Sequence, residues 1–468
     1  VGWSPDGRNI LAFVSKVGGI SEIVMISAGN GSSRVLKKLD GSRLGTVRLS
    51  PDGRIVAYDR VDEKRAHGLD IFLLPVAGGE ETPLVSHKAM DGLLGWTPDG
   101  KGILFASDRT GSIDAWLIPV ADGHASGDPV LVRKGLGAIA SLGFDRKGSF
   151  YYGLQAQTSD VYIASVDFEA GKVISPPAPV AKRSVGSNDS PGWSPDGKTL
   201  AFVAAAATSP DEGDIFIQRV GGGNAINLTP DSPGDDTHPA FSPDGSRIAF
   251  RSEREGGGLF VMGSTGESVK RLTDFGYNPS WSPDAREIVV STVSWEEVFS
   301  RSGTGELWAI DVSSGARRRI ETPGDAVQPR WSPRGDRVAY WGVSMAGQRD
   351  VFTVAAAGGG AVAVTTDVAI DWDPVWSPDG RHLTFSSDRG GTMNLWRVPI
   401  DEASGQALGP PVPLSAPSGW AGYASLSGDG RTLAYANREV RTTLMRAALD
   451  PLRGRISSPP AVVLRYTL

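Results

Sequence analysis

The stretch with the most chemical promise is Gly192-Trp193-Ser194-Pro195-Asp196-Gly197-Lys198-Thr199, which spells Gly-x4-Gly-Lys-Thr, the spacing of a phosphate cradle. Such a cradle needs free backbone N–H groups in the loop and a helix after it. Here Pro195 removes one donor, and Leu200-Ala201-Phe202-Val203 reads as a strand. A second set of chemically capable residues is scattered more widely: Asp189; Asp235, Asp236 and His238; Asn278; Gln328; Asp371, Trp372 and Asp373; and Tyr423. Carboxylates with aromatics and amides suit a sugar, a peptide or a cation better than an anion. Paired carboxylates gathered from different segments could also do acid–base work on a glycosidic bond. Asp371-x-Asp373 could help bind Ca2+, but no full loop of ligands surrounds it.

Other chemistries find no footing. The chain has no cysteine, hence no thiol nucleophile, thiolate metal site or disulfide framework. Its five histidines, His67, His87, His124, His238 and His382, include no His-Glu-x-x-His and no close pair, and no Gly-x-Ser-x-Gly elbow occurs. No catalytic residue, metal ligand or cofactor is assigned. A net charge of -6, with no basic run longer than Arg317-Arg318-Arg319, argues against nucleic acid or an anionic membrane as the main partner.

The candidate residues must be positioned by what surrounds them, and that is a repeat. Trp-Ser-Pro-Asp-Gly or a near relative begins at Trp3, Leu49, Trp96, Trp193, Phe241, Trp281, Trp331, Trp376 and Leu426, with an eroded copy at Phe144. The spacings run from 40 to 50 residues, a range that signals stacked supersecondary units. Each unit reads as four short strands: in the Trp376 unit, Asp373 to Ser377, His382 to Ser386, Asn394 to Val398 and Val412 to Leu414. Four antiparallel strands per repeat make a propeller blade, so the fold is all-β.

A longer period counts the rings. The Trp96 unit is a sibling of the Trp376 unit, and Gly171-Lys172-Val173-Ile174-Ser175-Pro176-Pro177 mirrors Gly454-Arg455-Ile456-Ser457-Ser458-Pro459-Pro460, each pair six units apart. This predicts tandem propellers: an N-terminal ring at 1–186 with four blades visible, and a six-bladed ring at 187–468. Because Val1-Gly2-Trp3 enters a repeat in mid-stride, the expectation is a piece of a longer protein, with missing blades upstream or a partner at the open edge of the first ring.

With their Ser-Asp-Arg loops and Gly-Gly turns, these units resemble the PD40 or TolB-like (WD40-like) propeller repeats, over essentially the whole chain. The region from Tyr151 to Trp193 is similar to propeller regions of bacterial sensor and serine/threonine kinase proteins. The resemblance implies a non-catalytic module that binds a protein or a small polar ligand, a sugar or a peptide, on the periplasmic or extracellular side of a bacterial cell. It brings no catalytic residue, and the propellers of related peptidases match only in their non-catalytic half. The alternative is a carbohydrate-active lyase or hydrolase in the second ring's channel.

Expected roles follow. The pentad aspartates cap their own turns, the motif tryptophans pack between blades, and Arg109, Arg254 and Arg389 tie adjacent blades. The candidate site residues ring one channel mouth, and Asp371→Ala with Asp373→Ala should leave stability nearly unchanged.

Overall fold

In a computed structural model, the chain is described except for residues 1, 16–19, 41–43, 62–67, 138, 146, 169, 181–187, 207–208, 295–300, 302–303, 345–346, 415–418, 451–454, 457–458 and 468. Among the described residues the regular structure is β-strand apart from one 3-10 turn, Arg254–Gly256. The pentads explain the strands' punctuation. In eight of them the serine or threonine Oγ donates to the aspartate Oδ1, as in Ser194 to Asp196 at 2.6 Å and Ser377 to Asp379 at 2.6 Å. The same Oδ1 accepts a backbone N–H two residues on, and the glycine takes the positive φ that closes the turn, +65° at Gly197. This settles the phosphate-like stretch: Lys198 follows a turn and Thr199 opens the strand Thr199–Ala206. Its backbone donors go to Asp196 and Ser194.

The blades form two compact units, 1–156 with 440–468, and 157–439. This division differs from a boundary at 186/187, which lies outside the described residues. The reason is a pair of 19-residue strands, Ser149–Asp167 and Thr432–Asp450, each contributing one end to either unit.

Unit 1 holds four sheets in series, blades 1 to 4, with inner strands Gly2–Trp3, Leu44–Leu49, Asp91–Trp96 and Ile139–Phe144. Blade 4 is completed by Ala461–Thr467, whose Thr467 to Ala461 pair with Arg441 to Arg446.

Unit 2 holds six, blades 5 to 10, with inner strands Asn188–Trp193, Asp236–Phe241, Tyr277–Trp281, Val327–Trp331, Asp371–Trp376 and Ala421–Leu426. Each inner strand touches the next, and the sixth touches the first, so the ring is closed. Blade 10 takes its outer strands from far upstream, with Tyr162 paired to Pro179 and Tyr162 stacked on Tyr435.

The core lies between blades. Trp376, Leu383 and Phe385 of blade 9 pack with Val327, Ala339 and Val351 of blade 8. Motif tryptophans are thus inter-blade core in the closed ring, as their spacing predicts.

Candidate functional site

Every inner strand of unit 2 carries a β-bulge, where the register slips between Asp189 and Gly192, Thr237 and Ala240, Tyr277 and Ser280, Val327 and Arg330, Trp372 and Val375, and Gly422 and Ser425. Inside each slip one non-glycine residue sits at positive φ, between 49° and 56°: Ser190, His238, Asn278, Gln328, Asp373 and Tyr423. Five of the six precede proline, which supplies no ladder donor and disfavours α conformations in the residue before it. A left-handed non-glycine residue costs about 1–3 kcal/mol. The same strain repeated in six blades re-aims six side chains out of the strand's simple alternation.

These bulges bring charged groups from separate blades together. Arg330 of blade 8 lies 4.0 Å from Asp373 of blade 9, and Asp373 Oδ2 accepts the Ala424 N–H of blade 10 at 2.7 Å. His238 of blade 6 feels Arg330, two blades away, as well as Arg251 of its own blade. Asp189 of blade 5 feels Arg438 of blade 10. Of these couplings, the one between His238 and Arg330 skips a blade, while blades 8 and 9, and blades 5 and 10, are neighbours in the closed ring.

The environment sets their protonation. Burial, then Arg330 and Arg251, push the His238 imidazole down to about 3, so it is neutral at physiological pH. Burial raises the carboxyls of Asp189 and Asp373 above the ordinary range; Ser190 and Arg438 oppose it at Asp189, and Arg330 and the Ala424 amide at Asp373. The shift at His238 has a consequence for stability. Between pH 6.5 and about 3 the unfolded chain binds a proton there that the folded chain refuses, so stability falls as pH drops through that window. On going from pH 7.5 to 5, the native chain should therefore lose more melting temperature than His238→Asn; equal losses would show that the imidazole titrates normally.

Two amides complete the group. Gln328 Oε1 accepts the Trp341 indole N–H, while its Nε2 has no hydrogen-bond partner among the described residues; the same holds for Asn278 Oδ1. Both side chains are buried.

Four of the sequence-designated residues lie elsewhere. Asp236 and Asp371 are buried in clamps, with Arg254 Nη2 donating to Asp236 at 2.8 Å and Arg389 Nη2 to Asp371 at 2.6 Å. The same clamp joins Arg109 to Asp91 in unit 1 at 2.6 Å. In each, the arginine Nε also donates to a serine, Ser252, Ser387 or Ser107. Its guanidinium lies over an aromatic ring of the same blade, such as Phe250, Phe385 or Phe105. These arginines therefore tie an inner strand to the loop of its own blade, correcting the expectation that they join neighbours. Trp372 is buried against Trp420 and Tyr423, its indole N–H directed at Met393 Sδ. Asp235 is exposed and accepts the Gly213 N–H at 2.7 Å. Tyr423 is mostly packing surface as well, though its hydroxyl accepts from Arg438 at 3.3 Å.

Reading residue types missed Arg251, Arg330 and Arg438. For Arg330 a signal existed: the residue immediately before the first residue of the pentad is Gly192, Ala240, Ser280, Val375 or Ser425 in the other blades of unit 2, and a charged residue stands out there. Among the described residues, no group of three His, Asp or Glu side chains comes together as a metal-binding set. A cleft of about 750 Å³ between blades 9 and 10 is lined by Asp379, Asp429, Arg431 and Phe168. Clefts between blades 1 and 2 and between blades 2 and 3 have similar turn-residue linings, so these follow from the repeat.

The repeats match the PD40 family model, the TolB beta propeller domain, over residues 141–299 and 277–455. The chain belongs to this family. As a PD40 chain it is similar, at 29% identity over 206 residues, to an uncharacterized peptidase, YuxL, of Bacillus subtilis, with 42% of the chain and 29% of that protein covered. It is also 29% identical over 221 residues to dipeptidyl-peptidase 5 of Porphyromonas gingivalis, covering 44% of the chain and 31% of that protein. The match thus spans under a third of either relative's length. Among solved structures, TolB from Agrobacterium tumefaciens, described as putative, aligns with TM-score 0.49 and 21% identity, over 60% of this chain and 99% of that one. No helix among the described residues is long and apolar enough to cross a membrane.

Proposed function

We propose that this PD40 chain is a non-catalytic binding module whose site is the axial opening of unit 2, taking a small polar ligand or a peptide, on the periplasmic or extracellular side of a bacterial cell. The observation that carries this reading is the set of six strained bulges. A purely structural bulge would be cheapest with glycine, yet four of the six positions hold His238, Asn278, Gln328 and Asp373. The lining offers donors and acceptors of both signs, with Arg251, Arg330 and Arg438 beside Asp189 and Asp373. Such a lining suits a sugar or a peptide, whose own groups alternate donors with acceptors. The peptidase names of two relatives make peptides a natural first probe.

The test is binding of short peptides and oligosaccharides by calorimetry to the native chain and to His238→Asn with Asp373→Asn. The variant should lose at least about tenfold in affinity, since each substituted group leaves a buried partner unpaired, while Asp244→Ala on the turn face should bind normally. Equal binding by the double variant and the native chain would move the site off the axis.

A second reading rests on the raised carboxyls of Asp189 and Asp373, since an acid catalyst needs such a shift. In that case the chain is a carbohydrate-active lyase or hydrolase. Turnover of a polysaccharide panel that Asp373→Asn abolishes would establish it.

A further inference from the structure

We infer that the ligand of unit 2 carries a carboxylate and that Arg330 is the group that holds it; this rests on the binding reading above and names one chemical group of that ligand. Arg330 stands immediately before the pentad of blade 8. Its guanidinium offers five N–H donors in a planar fork, yet among the described residues it donates no hydrogen bond. Asp373 Oδ1 lies 4.0 Å away, beyond hydrogen-bond reach, and Oδ2 is already taken by the Ala424 N–H at 2.7 Å. Gln328, two residues earlier on the same inner strand, adds a second unused donor. Its Oε1 accepts from the Trp341 indole, which leaves Nε2 without a partner among the described residues, in a residue only 1% exposed.

Other arginines in comparable places are spent on the protein. Arg48 occupies the same repeat position, before the pentad of blade 2, and donates to the Val47 and Ser141 carbonyls at 3.1 and 3.2 Å. Arg251 meets both carboxylate oxygens of Glu253, at 2.8 and 2.9 Å, and lies over Tyr277. Arg438 lies over Trp420 and donates to the Tyr423 hydroxyl at 3.3 Å. Arg330 has no such engagement, and its side chain keeps 28% of its surface exposed, so a ligand can reach it. The charge to be matched is single. Burial draws the Asp373 carboxyl toward its acid form and keeps His238 neutral beside the same guanidinium. One negative charge on the ligand balances Arg330, and a carboxylate presents two oxygens to the fork. A peptide and a uronic acid both supply that group. Residue types read without Arg330 point away from an anion; Arg330 reverses this for one group of the ligand.

The test is calorimetry on the whole chain with two matched pairs of probes: tetraalanine and its C-terminal amide, and a uronic-acid trisaccharide and its methyl ester. At least one acid should bind the native chain about tenfold or more tightly than its neutral partner, the effect of a charge-assisted hydrogen bond. Arg330→Gln should remove that preference, and Arg330→Lys, which keeps the charge without the fork, should keep only part of it. The pair that shows the preference identifies the source of the carboxylate. Thermal melting of Arg330→Gln should match that of the native chain, because no described hydrogen bond is lost; a large drop would make Arg330 a structural residue and overturn the inference. Equal or tighter binding of both neutral probes would overturn it and leave the binding reading standing. A preference that survives in Arg330→Gln would place the carboxylate elsewhere, which overturns it too. Binding of none of the four probes would overturn both.

Discussion

Asp371→Ala is expected to lower the unfolding free energy by about 3–5 kcal/mol, the range for removing one partner of a buried ion pair. Asp371 has no exposed surface, and Arg389 donates to it at 2.6 Å. Arg389 is itself largely buried and lies over Phe385 and Trp396. Without the carboxylate, the largely buried guanidinium keeps its charge with only the half-exposed Asp367, 3.1 Å away, to balance it, and this poorer compensation accounts for most of the loss. The neighbouring Asp373 is also fully buried, so the double alanine variant is expected to lose at least as much, where residue type alone predicts near neutrality. Asp91→Ala in unit 1 and Asp236→Ala in unit 2 should behave alike, because Arg109 and Arg254 form the same clamp. Denaturant unfolding monitored by circular dichroism checks this, and a loss below 1 kcal/mol for all three would show that the clamps are not structural.

The motif tryptophans should split sharply by position. Trp376→Ala should cost about 3–5 kcal/mol, as for other buried tryptophans. It removes packing against Val327, Ala339 and Val351 and the hydrogen bond to the Arg330 carbonyl. Trp3→Ala, at the same place in the repeat, should change stability by no more than about 0.5 kcal/mol, the usual range for a surface substitution. The two measurements use the same motif residue in the same chain, so propensity and composition cancel. A comparable loss at both positions would mean that Trp3 is covered in solution.

Much of this architecture was legible from local chemistry. Proline, aspartate and glycine at fixed offsets dictate one turn, and a serine two residues before the aspartate completes its hydrogen bonds, whatever the rest of the chain does. The repeated four-stranded sheet was legible because the repeat period is written in those turns. The long strands were not. Ser149–Asp167 is one continuous strand that spans two units, where the repeat plan has each strand belong to a single blade. Its partners in blade 10, such as Tyr435, lie hundreds of residues away, and only pairing in space decides between them.

The candidate site shows the same division. Residue type and position picked out His238, Asn278, Gln328 and Asp373, because each stands in the segment leading into a motif aromatic. Asp371 and Trp372 stand in the same kind of segment, and alternation alone gives no way to separate them from Asp373. The bulge separates them: Asp373 sits in it at positive φ and meets Arg330 and the Ala424 N–H of the neighbouring blades, while Asp371 is left to its arginine and Trp372 to the core.

By itself, then, the sequence determined the turn chemistry and the four-stranded blade, both set by contacts within about fifty residues. Tertiary structure alone decided which strands complete blades 4 and 10, and which carboxylates are clamped by an arginine of their own blade. Those outcomes depend on desolvation and on partners brought in from other blades, and neither is encoded in the spacing of a repeat.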